Sequence, residues 1–290
     1  MTIKQRRIIF ALCFLFFIIA TPIIILYVLG YRWDNGLKFY KTGGLYIYSP
    51  VSGVDIFVND KIQDKTGILK DDVFLQGLLP GRYSILATRD GYWPWKKNLM
   101  VKEEAVTEAS LFILPTDPQG RLILNENFSP LKNSDYDLIL KNLKSISQPP
   151  AKNLTEEEKM AFYTRFSSNK KEKIWWDPEK NIIWAEWLDN PLSLPYFFCD
   201  DQKCDLILKI YSTNRRIKNI DFYPRRKDVI IFSVDNGIYA IEIDGRGGRN
   251  IQPIYKGKDP TFIVSPNNNF FSDKIIYVLD DKNLIEITLP

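Results

Sequence analysis

The chain of 290 residues contains no histidine. That absence removes Ser-His-Asp triads, Cys-His pairs and every zinc or iron site with an imidazole ligand. Carboxylate-only chemistry, as in glycosidases, stays open. Cysteine is scarce, with three in all. An excess of one charge is also missing, because 39 basic residues face 35 acidic ones for a net charge of +4. A nucleic-acid partner would need a concentrated basic face. The densest basic stretches here are short: Lys4 to Arg7, Lys170 to Lys173, and Arg225 to Lys227. They read as solvated turns or a membrane flank. Helical patterning is sparse too. Beyond the N-terminal apolar run, one segment reads as a helix, about Glu156 to Phe166, opening on the capping-box spacing Thr155-x-x-Glu158.

What is present favours sheet. Hydrophobic residues make up 45%, charged residues 26% and aromatics 14%, and β-branched residues are frequent, which fits a folded, strand-rich chain. From Ile8 to Gly30 run 23 residues without a charge. As a helix they span about 34 Å, enough for a bilayer core of about 30 Å. Lys4, Arg6 and Arg7 precede them, so the positive-inside rule predicts a cytoplasmic N-terminus and everything after Gly30 outside. Tyr27, Tyr31 and Trp33 fit an interfacial aromatic belt, and Pro22 sits mid-span. A cleaved signal peptide is the rival reading, with Val28-Leu29-Gly30 as a passable cleavage site, but a signal core is shorter, about 7–15 residues. Cys13 lies inside the span.

After the span, period-two alternation sets Leu45 and Ile47 against Tyr46 and Tyr48, and groups Val54, Ile56 and Val58. Further strands are expected at Val73–Leu75, Tyr83–Arg89, Lys97–Val101 and Thr107–Leu114, punctuated by Pro80-Gly81 and Asp90-Gly91. The spacing predicts a small antiparallel β-sandwich over residues 37–115. Ser49-Pro50 with Gly53-Val54, "IFVND", "LLPGRYSILATRDGYWPW" (Leu78 to Trp95) and a closing strand ending in Leu114-Pro115 carry a resemblance to the PEGA domain, over about residues 43–115. The namesake Pro, Gly-Ala, Val loop is here "PVSGVDIFV", with the alanine replaced or shifted. The resemblance implies a bacterial cell-envelope role beside an anchor and other domains, and no catalytic residues. Tyr92, Trp93 and Trp95 have two readings, a sugar-stacking platform or core filling, with Gly91 supplying a positive-φ turn before them.

In the C-terminal part, residues 116–290, "WDPEKNIIWAEWLD", "FYPRRKDVIIFSVD" and "VSPNNNFFSDKIIYVLDD" share one plan: Pro, a polar turn, an alternating strand, then Asp. Their prolines are Pro178, Pro224 and Pro266, 46 and 42 residues apart, and Pro130 in "FSPLKNSDYDLILKN" marks a weaker copy. A period in the forties suggests propeller blades. Tyr223-Pro224, Val229–Val234 and "GIYAIEIDG" (Gly237 to Gly245) resemble a blade of the TolB-type β-propellers. That resemblance implies a binding platform. Only three or four copies are found, so the expectation is an irregular or partial propeller-like domain.

Cys199 and Cys204 flank a four-residue polar loop in "PYFFCDDQKCDLIL". They could face each other across a hairpin as a disulfide, stay free, or hold a metal as a weak pair. Asp71-Asp72, Asp200-Asp201 and Asp280-Asp281 sit at predicted turns, where adjacent carboxylates point apart. The Gly-rich "DGRGG" precedes a strand, so it is no phosphate loop. Asn127 and Asn153 open sequons.

These readings converge on a mainly β, single-pass cell-membrane protein. It has a cytoplasmic stub (residues 1–7), an anchor (8–30), a β-sandwich and a propeller-like domain with one helix near 155–166. The expected role is a non-catalytic extracytoplasmic scaffold for an envelope protein or glycan, without nucleic acid, cofactor or metal. The alternatives are a carboxylate-based glycan-acting enzyme, which needs two carboxylates about 5–10 Å apart in one cleft, and an envelope sensor.

Overall fold

The computed structural model describes residues 2–33, 39–67, 70–124, 134–148, 150, 153–265 and 274–290. Helix α1 (Ile3–Val28) starts earlier than the apolar run, because Thr2 and Gln5 close a capping box around the basic cluster. Its apolar side chains are exposed, and it is long and apolar enough to cross a membrane. The helix ends before Gly30, whose φ of 83° turns the chain into a short hairpin of β1 (Tyr31–Trp33) and β2 (Phe39–Lys41). Thr42 donates to the Gly30 carbonyl from both its backbone N–H (2.9 Å) and its hydroxyl (2.7 Å), which ties the helix end to the next strand. Arg32 stacks 3.7 Å from the Tyr27 ring centroid and donates to the Tyr27 and Tyr31 carbonyls.

The small module comprises β3 (Gly43–Tyr48), β4 (Asp55–Val58), β5 (Lys61–Lys65), β6 (Asp72–Leu78), β7 (Gly81–Thr88), β8 (Trp95–Val101) and β9 (Val106–Ser110). They form two sheets, β6-β3-β9 and β5-β4-β7-β8. Leu45, Ile47, Val54, Ile56 and Val58 are buried between them, as their alternation dictates. The sandwich is not wholly antiparallel, because β9 runs parallel to β3. Residues Leu111–Leu114, expected as the end of the last strand, leave the sheet and are buried.

Three four-stranded antiparallel sheets follow. The strands are β10 (Gly120–Leu124), β11 (Thr164–Phe166), β12 (Glu172–Asp177), β13 (Ile182–Trp187), β14 (Ile207–Ser212), β15 (Ile217–Phe222), β16 (Val229–Val234), β17 (Gly237–Glu242), β18 (Ile251–Lys256), β19 (Thr261–Val264), β20 (Ile275–Asp280) and β21 (Asn283–Thr288). The first sheet is β11-β12-β13-β14, the second β15-β16-β17-β18, and the third β10-β21-β20-β19. The third therefore takes a strand from ahead of the first sheet to complete a C-terminal meander. Side chains link the sheets: Arg165 of β11 donates to Asn219 of β15 (2.9 Å), and Asn219 donates to the Phe262 carbonyl of β19 (2.9 Å).

Two helices also occur, α2 (Ser134–Ser147) and α3 (Glu156–Tyr163). The α3 capping box between Thr155 and Glu158 is formed. This helix stops three residues short of expectation, because Thr164–Phe166 turn extended and pair with Lys173–Trp175. Helix α2 corrects the reading of its segment as a weak strand repeat. Tyr136, Ile139, Leu140, Leu143 and Ile146 fall on one helical face and pack against Ile263, Tyr277 and Leu284 of the third sheet. The prolines do not all mark equivalent turns either. Pro224 follows the first strand of its sheet, whereas Pro178 follows the second, because β11 precedes β12 in the same four-stranded sheet. Pro130 and Pro266 lie outside the described residues.

The second sheet is buried on both faces, and all six residues of β16 are buried. Ile230 and Phe232 join Ile174, Trp176 and Ile183 of the first sheet in one core. Val229 and Ile231 face the other way, into a core shared with the third sheet (Phe262, Ile276, Ile287) and with the small module (Trp95, Leu99, Phe112). The module and the C-terminal half thus share a hydrophobic core.

Candidate functional site

Trp95, Lys97, Leu99 and Val101 occupy the buried face of β8. Trp95 is fully buried and its indole N–H donates to Glu242 (2.6 Å). It is therefore unavailable to a ligand, which removes it from the stacking platform that sequence reading allowed. Trp93 and Tyr92 are half-buried and pack against the same core. The Trp93 backbone N–H is tied to the Leu114 carbonyl (2.8 Å), and the Arg89 guanidinium lies 4.3 Å from the Tyr92 ring centroid. Gly91 has a φ of 76° ahead of them, as the turn requires. Trp95 joins the module to the second sheet through Glu242.

Lys97 is the centre of that joint. Its side chain is fully buried, with Nζ 3.3 Å from Glu242 Oε2 and 3.5 Å from Asp244 Oδ2. The ammonium also donates to the carbonyls of Asp244 (2.7 Å) and Gly248 (3.1 Å). Asp244 is held in addition by the Arg246 guanidinium, so two cations face two carboxylates. Burial pushes the Glu242 carboxyl above the usual range, against the opposing pull of Lys97, Trp95 and Asn250. The turn carrying this cluster can approach β8 only because residue 247 is glycine. Its φ is 63°, and a Cβ there would sit 2.4 Å from the Asn98 backbone.

Two arginines fasten the free edge of the module. Arg246 donates to the Glu108 carbonyl (2.6 Å), and Arg226, paired with Asp228, donates to the Leu111 carbonyl and the Ser110 hydroxyl. Gln252 spans Phe112 and Leu114 with one bond from its amide and one to its carbonyl. An exposed strand edge is a template for unwanted pairing, and these side chains cover it. Sequence reading missed them; "YPRRKD" and "DGRGG" read only as turns.

Cys199 and Cys204 are joined by a disulfide and face each other across an isolated antiparallel bridge. The bond closes the tip of the long β13–β14 connection. Phe197 and Phe198 anchor this connection in the core between the first two sheets, and Asp201 pairs with Arg82 of the module (2.7 Å). Tyr196 beneath it carries the Arg246 guanidinium 4.5 Å from its ring centroid, and burial pushes its phenol well above the usual range. Two clefts flank this connection and share Tyr196, Phe197 and Lys227. One, of about 480 Å³, opens toward Phe112 and Tyr223, and the other, of about 680 Å³, toward Val106 and Thr107.

Among the acidic doublets, Asp200 makes turn bonds within its own loop, whereas Asp280 holds residues lying 21 to 25 positions earlier in the chain. Asp200 accepts from the Gln202 and Lys203 backbones, and Asp280 from Tyr255, Lys258 and Asp259. Among the described residues, no group of three or more acidic or cysteine side chains could hold a metal ion. Glu242 and Asp244 do converge, but on buried Lys97.

The remaining feature is an aromatic pair that sequence reading did not single out. Trp175 and Trp184 are cross-strand partners on the first sheet, with ring centroids 6.1 Å apart and planes within 12° of parallel. Alternation could have found them: Ile174 and Trp176 are buried, so Trp175 must point away from that core.

No family model matches this chain, and no curated protein matches it. Among solved structures, it is similar to a Bacteroides fragilis protein provisionally described as membrane-associated and of unknown function. That match has 9% identity over 86% of this chain and 95% of the other, with a TM-score of 0.21. At that score the likeness carries no argument about this chain.

Proposed function

We propose that the chain is a single-pass envelope protein whose β domains stand outside the membrane as a non-catalytic binding scaffold. The observation that carries this reading is the uncovered apolar helix α1 joined through the Thr42–Gly30 bonds to a module locked onto the second sheet. A lipid solvent accounts for an apolar helix with no buried face. A module fixed at both ends transmits position: it holds the three sheets at a set place above the bilayer. The basic residues Lys4, Arg6 and Arg7 at the helix start favour a cytoplasmic N-terminus. The module is read as PEGA-like and the three sheets as propeller-like blades. The strand β10 completing the last sheet and the Arg165–Asn219–Phe262 link support the blade reading. Protease added to intact spheroplasts should digest the chain beyond Gly30. Full protection of the C-terminal half would overturn the orientation.

A further inference from the structure

A short run of contacts marks the end of the module nearest helix α1. Thr42, which bonds to Gly30, accepts at its carbonyl from the Glu104 N–H (3.1 Å), and the Gly44 N–H donates to the Ala105 carbonyl (2.9 Å). Gly44 is also the register partner of Val106. Residues 102–106 thus lie level with the start of β3, only two strand residues, ~7 Å, past the Thr42 bonds to Gly30. The β13–β14 connection reaches this same end. Lys102, Ala105 and Val106 line the cleft of about 680 Å³ together with Leu194, Pro195 and Cys199 of the connection. Arg82, which pairs with Asp201 at the tip, follows the Gly81–Val101 pair that closes β7 against the end of β8.

The connection carries apolar side chains that the fold leaves uncovered. Leu192 is 95% exposed, and Leu188, Leu206 and Ile207 at the two ends of the connection are between 42% and 50% exposed. The turn that holds Leu192 out is rigid. The Asn190 side chain accepts from the Leu192 N–H (2.9 Å). The Asn190 carbonyl accepts from the Ser193 hydroxyl (2.9 Å) and the Trp187 indole (3.1 Å), and Pro191 and Pro195 bracket the turn. Beside it, Lys171 pairs with Asp189 and Lys203 with Asp205.

We infer that the β13–β14 connection is a second membrane contact, with Leu192 seated in the interfacial layer of the bilayer that α1 enters. The inference rests on the reading of α1 as a membrane span. Continuity with that span names the occupant: the connection meets the module at the end where Gly30 leaves the helix, so lipid is the apolar phase beside it. A leucine held out by a capped, proline-bracketed turn is already ordered before it meets lipid, so insertion costs little entropy. The neighbouring charges are paired within the protein, so the contact does not depend on anionic headgroups as a polybasic patch does. A single spanning helix leaves the domains above it free to tilt, and a second point of insertion fixes them against the surface.

The test uses the full-length protein in nanodiscs, labelled without reductant by an environment-sensitive fluorophore at one cysteine at a time. The sites are native Cys13 in α1, and Ser193→Cys or Asp90→Cys in a Cys13→Ser background, with Cys199 and Cys204 kept in their disulfide. Asp90 is exposed and lies the length of β7 away from Gly81, so it serves as the distant reference. The quencher is phosphatidylcholine bearing a nitroxide high or low on its acyl chain, with and without phosphatidylglycerol. The probe at 193 should shift to the blue and be quenched by the high nitroxide in both lipid mixtures, while the probe at 90 stays unquenched. Leu192→Asp should remove most of the quenching at 193 without changing the melting of the protein, because the side chain it replaces packs on nothing. Quenching at Cys13 with none at 193 would overturn the inference and leave the span reading standing. A blue shift at 193 that lipid nitroxide does not quench would overturn it too, since a protein or a second copy would then cover the tip. So would quenching that persists in folded Leu192→Asp. An unquenched Cys13 would overturn the span reading and this inference together.

Discussion

Replacing Lys97 by alanine would leave Glu242 without its nearest cation and Asp244 with Arg246 alone. Both carboxylates are more than nine-tenths buried, so water cannot replace the ammonium. Two carbonyls, of Asp244 and Gly248, would lose their donor as well. Removing one partner of a buried charge pair costs about 3–5 kcal/mol. That is a large share of the ~5–15 kcal/mol that holds a typical domain together. With a urea dependence of about 2 kcal/mol per molar, the midpoint should fall by roughly 2 M. The assay is urea unfolding of the full chain in nanodiscs, read by tryptophan fluorescence and by limited proteolysis of the module. The double variant Lys97→Met, Glu242→Gln should recover part of the loss, because it removes the charge together with its partner and keeps an acceptor for Trp95. Neighbours in one network couple by about 0.5–3 kcal/mol. A loss below ~1 kcal/mol for Lys97→Ala, or strictly additive effects in the double variant, would refute the view that this cluster joins module and sheet.

Two further outcomes are expected. Burial pushes the Asp221 carboxyl from 3.8 up to about 6, while Arg165 and the Phe222 N–H pull the other way. The folded state then keeps a proton that the unfolded chain has lost, so the penalty is absent below about 3.8 and complete above about 6. At ~1.4 kcal/mol per pH unit this is on the order of 2–3 kcal/mol. Asp221→Asn should therefore gain stability relative to the wild type as pH rises through that window, measured by thermal melting; a pH-independent difference would count against it. Deleting residues 261–290 should unfold the small module along with the sheets, because Phe262, Ile276, Val278 and Ile287 lie in the core that the module shares. Four such side chains, at ~1.5–3 kcal/mol each, amount to most of a domain's net stability. From the sequence alone, the module is expected to survive this truncation. A protease-resistant fragment ending near Pro115 would restore that independence and refute the shared core.

Local pattern determined much of this protein. Twenty-three uncharged residues can only be satisfied as one long apolar helix, so α1 is legible from composition. Alternation placed Leu45, Ile47, Val54, Ile56 and Val58 inside, and "VIIFSV" is the continuous run of a strand buried on both faces. The Thr155–Glu158 box marked the start of α3, and the turn at Gly91 needed a residue free to take positive φ. Tertiary structure alone decided the rest. Lys97 looks like an ordinary solvated strand lysine until β17 brings Glu242 from 145 positions further along the chain. Arg226 and Arg246 sit in polar turns whose partners, the carbonyls of Leu111 and Glu108, lie in another module. Thr164–Phe166 left a helix for a strand because Lys173–Trp175 offered an unpaired edge. Trp95 and Trp175 show the same limit from two sides. Period-two alternation separates the faces of a strand, but only the packing of whole sheets settles which face meets a neighbour, since burial depends on elements distant in sequence.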